Sequence, residues 1–371
     1  MRLDGRQRTV GARSGWQTAP IPFRLFATTM TTIPLDAATL DGAIRFNRKL
    51  AWAPRFRIRN RLLPMLGQVL LRVSQVGADA RLKRQGIRVE ARVAQAGGLR
   101  VPVRILRPAG KPKALVIDIH GGGWVIGNAR MGDRFNVLRV QACDAVVVSV
   151  DYRLATHASL DAIMDDCLAA ARWALGEGLP ECRTLPAFVV GESAGGHLAA
   201  ATLLRLKAWP ALLNRFAGAV LFYGVYDLAG TPSVQAAGPD TLVLDGPGML
   251  PALRMLTPGL GDAERRRAPL SPMYGDLDGM PPSWMIAGEI DPLRDDTLEL
   301  ARRWREVADV ELNLLPEAPH GFIHFPTRMA ELALERSHAW MREQVARHAL
   351  REPGSETGSL AGLAGLASSA P

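Results

Sequence analysis

The stretch that decides the fold is residues 187–207, AFVVGESAGGHLAAATLLRLK, in which an apolar run passes through glycines into a helical pattern. Ser193 lies between Gly191 and Gly195 in the pattern G-x-S-x-G, which 36 glycines in 371 residues can also produce by chance. The flanks are more informative, because a strand, a tight turn and a helix in this order expose a serine hydroxyl. We therefore expect Ser193 at a helix N-terminus, where the backbone dipole favours negative charge.

Short apolar runs rich in valine and isoleucine recur at residues 114–120, 145–152, 187–192, 218–224, 283–289 and 311–316. Such runs are typical of strands buried on both faces of a sheet. Helical patterns lie between or after them, at residues 131–142, 159–176, 195–208, 294–307 and 327–348. Two alternating stretches, 88–95 and 100–108, predict a strand pair around Ala96-Gly97-Gly98. Together these patterns predict an α/β fold with a mostly parallel, eight-stranded sheet flanked by helices.

The chain is expected to divide into one large domain and four accessory segments, one of which lies within that domain. Residues 1–30 are basic and predicted to be a disordered extension, and residues 31–86 show helical spacing that predicts an N-terminal cap segment. The catalytic domain is predicted over residues 87–349. Residues 228–272, rich in proline and glycine, interrupt its rhythm and predict a second cap segment. The low-complexity residues 350–371 predict a disordered tail.

Composition argues against several classes of function. The net charge of +9 comes mostly from scattered arginines, so we expect a solvated surface and no nucleic-acid partner. No apolar stretch is long enough to cross a bilayer, so stable membrane insertion is not expected. The N-terminus lacks the apolar core of a signal peptide, which favours a cytoplasmic protein. The three cysteines share no close spacing and predict neither a metal site nor disulfides. A homodimer is compatible with the sequence.

A serine nucleophile needs a base and a carboxylate that orients the base. His320, in PEAPHGFIHF, directly follows the last predicted strand, and Asp291, in GEIDPLRDD, follows the strand before it. Both lie where the carboxyl ends of parallel strands gather ligands. We therefore predict Ser193, Asp291 and His320 as the catalytic residues.

Other carboxylates and imidazoles compete for these roles. Glu289 is the second choice for the acid, whereas Asp295 and Asp296 fall at the start of a helix, where capping is the ordinary role. His197 lies one helical turn after Ser193 and is expected to point into packing. His324 is interpreted as a loop residue.

A glycine-rich loop, IHGGGWVIG (119–127), follows the predicted strand 114–120. Successive glycines allow backbone N–H groups to approach a ligand oxygen closely. A phosphate-binding loop is disfavoured, because no Lys-Ser/Thr follows the glycines and no G-x-G-x-x-G spacing occurs. The apolar Trp124 that follows suits an acyl pocket.

Several motifs together resemble the hormone-sensitive-lipase-like branch of the α/β hydrolases: HGGGW (120–124), DYRLA (151–155), GESAGGHLAA (191–200), SPMYGDLDGMPP (271–282), GEIDPLRD (288–295) and HGF (320–322). They occur in that family's order and span about residues 88–347. The chain order serine, aspartate, histidine is also that of the α/β hydrolases. The resemblance implies an α/β-hydrolase fold with a helical cap and carboxylesterase or lipase activity that needs neither metal nor cofactor.

The resemblance also assigns roles around the nucleophile. Gly121, Gly122 and the N–H of Ala194 would form the oxyanion hole, while His120 and Gly123 would support the glycine loop. The chain departs from the family at Glu192, where aspartate is common, and at Thr156-His157, where the family commonly has Pro-Glu. Glu192 and Trp124 are the residues we expect in the substrate pocket.

The predicted function is hydrolysis of short- to medium-chain carboxylic esters through an acyl-enzyme, with a small-molecule ester as substrate. Because the base must be neutral, activity should fall at mildly acid pH. An amidase or lactonase with the same triad is the alternative, and a non-catalytic small-molecule receptor on the same scaffold is a further one. A long-chain lipase is disfavoured, since no strongly apolar lid is evident from the sequence.

Overall fold

The central sheet has eight strands in the computed structural model, which describes residues 33–58 and 62–351. The strands are β1 (Arg88–Ala96), β2 (Leu99–Arg107), β3 (Ala114–Ile119), β4 (Ala145–Val150), β5 (Ala187–Glu192), β6 (Phe216–Phe222), β7 (Ser283–Gly288) and β8 (Val310–Leu315). Their order is β1-β2-β4-β3-β5-β6-β7-β8. Only the β1–β2 and β2–β4 pairs of this sheet are antiparallel. The predicted mostly parallel, eight-stranded sheet is confirmed.

The sheet core explains why the apolar runs in the sequence are continuous. All six residues of β3, β4 and β7 are buried, so neither face of these strands meets solvent. At the edge, β1 is largely exposed and joins β2 through Gly97 and Gly98. Both glycines have left-handed φ values, 58° and 77°, as a two-residue hairpin turn of type I′ requires.

Helices pack against the sheet. Further helices lie before β1 and in the insertion between β6 and β7. The described residues contain α1 (Ala37–Leu50), α2 (Leu62–Ser74), α3 (Ala78–Arg84), α4 (Asp133–Cys143), α5 (Leu160–Leu175), α6 (Ala194–Leu206), α7 (Pro210–Leu213), α8 (Pro232–Gln235), α9 (Met249–Leu256), α10 (Asp262–Arg265), α11 (Arg294–Trp304) and α12 (Arg328–Arg351). Helices α5 and α6 pack on each other, and α4 packs on α12. The N-terminus of α5 is capped by Ser159, whose hydroxyl accepts from the Ala162 N–H at 3.2 Å.

The two segments predicted as cap pieces contact each other directly. The Phe56 N–H donates to the Val243 carbonyl at 2.6 Å, and the Asp245 N–H donates to the Phe56 carbonyl at 3.1 Å. An ion pair of 3.3 Å between Arg57 and Asp245 adds to this junction. The segment that leads into the domain and the insertion after β6 are thereby joined.

Most of the two ends predicted to be disordered lies outside the described residues. The extension, residues 1–30, lies outside the described residues. The predicted tail, residues 350–371, does so from residue 352 onward, and its first two residues, Leu350 and Arg351, belong to α12.

Candidate active site

Ser193 lies in the turn between β5 and α6, in a strained conformation with φ 53° and ψ −122°. Glycines on either side make this turn sterically feasible. A Cβ on Gly191 would lie 2.2 Å from the Gly195 carbonyl oxygen, and a Cβ on Gly195 would lie 2.0 Å from the Ile119 carbonyl oxygen. The turn is also held by the Ser193 N–H, which donates to the Phe222 carbonyl at 2.9 Å. The sequence pattern G-x-S-x-G is therefore a steric requirement here.

Ser193, His320 and Asp291 form a continuous hydrogen-bonded chain. The Ser193 Oγ lies 2.9 Å from His320 Nε2, and His320 Nδ1 lies 2.9 Å from Asp291 Oδ2. A carboxylate can only accept, so Nδ1 carries the hydrogen and, in the neutral ring, Nε2 accepts from the serine hydroxyl. Asp291 has a fully buried side chain, and its Oδ1 accepts from the Leu293 N–H at 2.8 Å. The three predicted residues thus stand in the arrangement that activates a serine.

The competing carboxylates lie elsewhere. Glu289 is exposed. Asp296 is buried and accepts from the N–H groups of Tyr226 and Asp227 and from the Thr231 hydroxyl. Asp295 accepts from the Ser233 N–H at 2.9 Å. Both aspartates therefore tie the start of α11 to the segment that follows β6.

His197, the imidazole nearest to Ser193 in sequence, is completely buried and engaged on both ring nitrogens. Its Nδ1 accepts from Trp124 Nε1 at 3.2 Å, and its Nε2 donates to the Leu270 carbonyl at 2.8 Å. Burial lowers the pKa of His197 to about 4, so the ring stays neutral near neutral pH. It holds Trp124 and the insertion in place.

The glycine loop begins where β3 ends and turns back on itself. Gly122 and Gly123 have left-handed φ values, 104° and 59°, and a Cβ on Gly122 would lie 2.0 Å from the Ile126 carbonyl oxygen. A Cβ on Gly121 would lie 3.5 Å from Ser193 Cβ, which places the loop beside Ser193. Ala194 is the first residue of α6, where an N–H has no partner within the helix. The loop and the helix start together border the serine.

His120 contacts the backbone of this loop and the ring of Tyr152. Its Nδ1 lies 2.8 Å from the Gly121 carbonyl, and its ring stacks on Tyr152 at 4.1 Å. The Tyr152 hydroxyl donates to the His120 carbonyl at 2.8 Å. Burial lowers the pKa of His120, which keeps the ring neutral and suits it to bracing.

A cavity of about 370 Å³ opens over the serine. Both segments predicted to form the cap contribute to its wall, through Phe56 and Ile58 on one side and residues between 243 and 256 on the other. Its apolar lining also includes Trp124, which has a left-handed φ of 62°. This volume is in the range of pockets that hold small molecules.

Two contacts at the site carry no signal in the sequence. The side chain of Gln68, on α2, makes a pair of bonds with Gly127 at the far end of the glycine loop: Nε2 donates to its carbonyl and Oε1 accepts from its N–H, both at 2.8 Å. His324 Nε2 lies 2.7 Å from Glu192 Oε2, so His324 contacts the residue before the nucleophile. Each contact joins residues far apart in the chain, and periodicity and motifs do not report such pairs.

Other reactive groups are unavailable for chemistry. Burial raises the pKa of the Cys143 and Cys182 thiols to about 11 and also raises that of Cys167, so all three stay protonated and unreactive. Within residues 33–58 and 62–351 there is no group of three His, Cys, Asp or Glu side chains suited to a metal ion. Among the described helices, none has the length and apolar character needed to span a membrane.

Comparisons with known proteins agree with this architecture. Residues 116–324 match a family model described as the α/β-hydrolase fold. The carboxylesterase NlhH of Mycobacterium tuberculosis is 34% identical over 251 residues, which is 64% of this chain and 76% of that protein. The chain belongs to the hormone-sensitive-lipase-like family of α/β hydrolases, a family of carboxylic ester hydrolases.

Solved structures lead to the same family. The esterase LipW from Mycobacterium marinum superposes with a TM-score of 0.70 at 27% identity, covering 86% of this chain and 99% of that one. An esterase of the bacterial hormone-sensitive lipase family gives a TM-score of 0.66 at 25% identity and covers 84% of this chain and all of that one. Each of these two superpositions therefore extends over most of this chain and nearly all of the solved chain.

Proposed function

We propose that this protein is a serine carboxylesterase that hydrolyses short- to medium-chain esters through an acyl-enzyme. The observation that carries the proposal is the hydrogen-bonded chain from Asp291 through His320 to the Ser193 hydroxyl, which ends in an apolar cavity. Serine, histidine and aspartate in this order and geometry generate a nucleophile for acyl transfer.

In the first half of the reaction, Ser193 Oγ attacks the ester carbonyl carbon while His320 Nε2 takes the hydroxyl proton. The carbonyl oxygen becomes an oxyanion beside the N–H groups of Gly121, Gly122 and Ala194. A single such donor is worth about 3–4 kcal/mol in comparable sites. The tetrahedral intermediate then collapses, the bond to the alkoxy oxygen breaks, and His320 gives its proton to the departing alcohol.

In the second half, water replaces the alcohol. His320 Nε2 accepts a proton from the water as its oxygen attacks the acyl carbon, and the bond to Ser193 Oγ breaks. The proton returns to the serine oxygen, and the carboxylic acid leaves. Asp291 keeps the Nδ1 hydrogen in place throughout and stabilises the imidazolium that forms in both halves.

The lining of the cavity supports the size of the proposed substrate. Its apolar side chains, such as Ile58, Ile126, Met249 and Leu253, come from the glycine loop and the two cap segments. An acyl chain would bury its surface against them, at about 25 cal/mol for each Å² removed from water. The proposed helical cap thus supplies most of the apolar contacts, whereas the catalytic groups come from the strand ends.

One observation favours a long-chain lipase as a second candidate. On α2, Leu66, Leu70 and Val73 have exposures of 60%, 64% and 65%, so this cap helix presents apolar side chains to solvent. Exposed apolar stripes of this kind are typical of surfaces that meet other apolar phases. The chain-length assay below decides between the two candidates.

A series of p-nitrophenyl esters from acetate to palmitate tests the proposal, beside a matched anilide, a lactone and an emulsified triglyceride. We expect the highest kcat/KM between two and eight acyl carbons, and no turnover above background in the Ser193→Ala variant. Hydrolysis that survives this substitution contradicts the mechanism. A preference for the anilide, the lactone or the triglyceride corrects the substrate class.

A further inference from the structure

Glu192 and His324 are ionisable residues of the cavity wall that have no role in the mechanism above. Glu192 and His324 both line the cavity, and His324 Nε2 lies 2.7 Å from Glu192 Oε2. The same carboxylate oxygen accepts from the Tyr223 hydroxyl at 3.0 Å. The Glu192 side chain is 13% exposed and that of His324 is 38% exposed. The pair is therefore a partly buried contact at the edge of the site.

The pair lies beside the atoms that react. Glu192 immediately precedes Ser193, and a Cβ on Gly121 would lie 3.3 Å from Glu192 Cγ. The carboxylate therefore borders the loop whose N–H groups are proposed to hold the oxyanion. His324 lies in the turn that follows His320, so the pair also links the nucleophile turn to the histidine loop.

A carboxylate in this place opposes the proposed reaction. The transition state places negative charge on the former carbonyl oxygen, and a nearby unpaired carboxylate would raise its energy. We propose that protonated His324 neutralises Glu192 and so protects the developing oxyanion, as a positioning residue of the esterase. This inference rests on the proposed function. It also explains the glutamate, because the additional methylene extends the carboxylate toward His324.

The surrounding charges determine when His324 is protonated. Burial works against its charged form, and Arg134 on α4 does the same, but the charge and hydrogen bond of Glu192 outweigh both and raise the pKa of His324. Burial alone would raise the pKa of Glu192. His324, Tyr223 and Arg139 lower that pKa by more than burial raises it, so the net pKa of Glu192 is depressed.

Three other ionisable groups interact electrostatically with Glu192. They are the rings of His120, Tyr152 and Tyr223, and the pKa of each is shifted by burial toward its neutral form. None of these rings therefore supplies a positive charge near neutral pH. His324 is therefore the group beside Glu192 whose positive charge depends on pH, and its raised pKa moves the loss of that charge to higher pH than in an ordinary imidazole.

The consequence is an alkaline decline in activity that is separate from the acid decline caused by protonation of the base. Above the raised pKa of His324 the imidazole loses its proton to solvent, and Glu192 keeps its charge beside the oxyanion loop. We expect kcat to fall about tenfold through this range, with KM changed less than about twofold, because the repulsion acts on charge that exists only in the transition state.

Three variants test this: His324→Gln, Glu192→Gln and the double variant. We expect His324→Gln to lower kcat about tenfold at the neutral optimum, to match wild type at alkaline pH and to lack the alkaline decline. Glu192→Gln should lack that decline, so that its kcat at alkaline pH equals its own kcat at neutral pH. The double variant should behave like Glu192→Gln, because without the carboxylate there is nothing to neutralise.

A matched control is His348→Gln near the end of α12, which changes the same residue type outside the cavity and should leave the profile unaltered. Proton NMR titration of the His324 ring gives a readout that does not depend on turnover. Its midpoint should lie above that of an ordinary imidazole in wild type and fall in Glu192→Gln. An alkaline decline that persists in His324→Gln, or a midpoint unmoved by Glu192→Gln, overturns the inference.

The outcomes for the two proposals are distinguishable. Ester hydrolysis that survives Ser193→Ala refutes the proposed function. Ester hydrolysis that requires Ser193 but keeps its alkaline decline in His324→Gln refutes only the role of the Glu192–His324 pair.

Discussion

Replacement of Gln68 by leucine is expected to lower kcat, although Gln68 lies on α2 and is not one of the three proposed catalytic residues. Gln68 donates to the Gly127 carbonyl and accepts from the Gly127 N–H, both at 2.8 Å and both buried. Leucine has a similar size but leaves both backbone groups without these partners. Each buried unpaired group costs about 1–3 kcal/mol, so the expected destabilisation is about 2–6 kcal/mol.

The loss should reach the part of the glycine loop that is proposed to hold the oxyanion, because Gly127 packs directly against the start of that loop. A Cβ on Gly127 would lie 2.4 Å from His120 Nδ1 and 3.1 Å from the Gly121 carbonyl oxygen. Movement of Gly127 therefore displaces the groups that position Gly121. Misplacement by about 1 Å can cost about 100-fold in rate, so we expect kcat to fall between about tenfold and 100-fold, with KM little changed.

The assay measures kcat and KM on a short p-nitrophenyl ester, with urea unfolding of the same samples. Gln75→Leu is the matched control, because Gln75 bonds to the side chain of Asn128 and not to the loop backbone. It should lower the free energy of unfolding by less than about 1.5 kcal/mol and leave kcat near wild type. If Gln68→Leu lowers stability as expected but leaves kcat unchanged, the proposed link between α2 and the glycine loop is wrong.

Two further substitutions test the geometry of the site. Asp291→Asn should lower kcat by about 10⁴ with little change in KM, because asparagine cannot hold the His320 hydrogen on Nδ1; a loss below about tenfold in steady-state kinetics would contradict this. Gly195→Ala would place a Cβ 2.0 Å from the Ile119 carbonyl oxygen, so we expect a destabilisation of at least about 3 kcal/mol in thermal unfolding. Gly110→Ala, where a Cβ meets no atom within 4 Å, should be close to neutral, and equal melting temperatures for the two alanine variants would refute the steric argument.

The sheet could be predicted from the sequence because burial on both faces leaves a local trace. The apolar run at 187–192 matches β5, and the runs at 114–120 and 283–289 each extend one residue beyond β3 and β7. Strand ends also identify where ligands collect in a parallel sheet, which is why Asp291 and His320 could be proposed as partners of Ser193. Their catalytic roles remain predictions that the variants above test.

The contacts that the sequence could not reveal depend on how loops and helices meet in three dimensions. His324 is 132 residues from Glu192, and its interpretation as a loop residue follows from local sequence alone. Gln68 is 59 residues from Gly127 and lies on a helix on which Leu66, Leu70 and Val73 are exposed, so amphipathic spacing indicates the wrong contact face. Polar side chains that bond distant backbone groups leave no periodic pattern.

The close approach of Gly195 to the Ile119 carbonyl has a consequence for how this enzyme can change over evolution. The nucleophile turn and the start of the glycine loop touch at a distance that admits no side chain, so neither can shift without the other. The cavity wall formed by residues 56–58 and 243–256 comes from segments outside the sheet, and most of its lining residues are apolar. New substrates can thus be acquired by substitutions in that wall, while the reacting atoms stay where the sheet holds them.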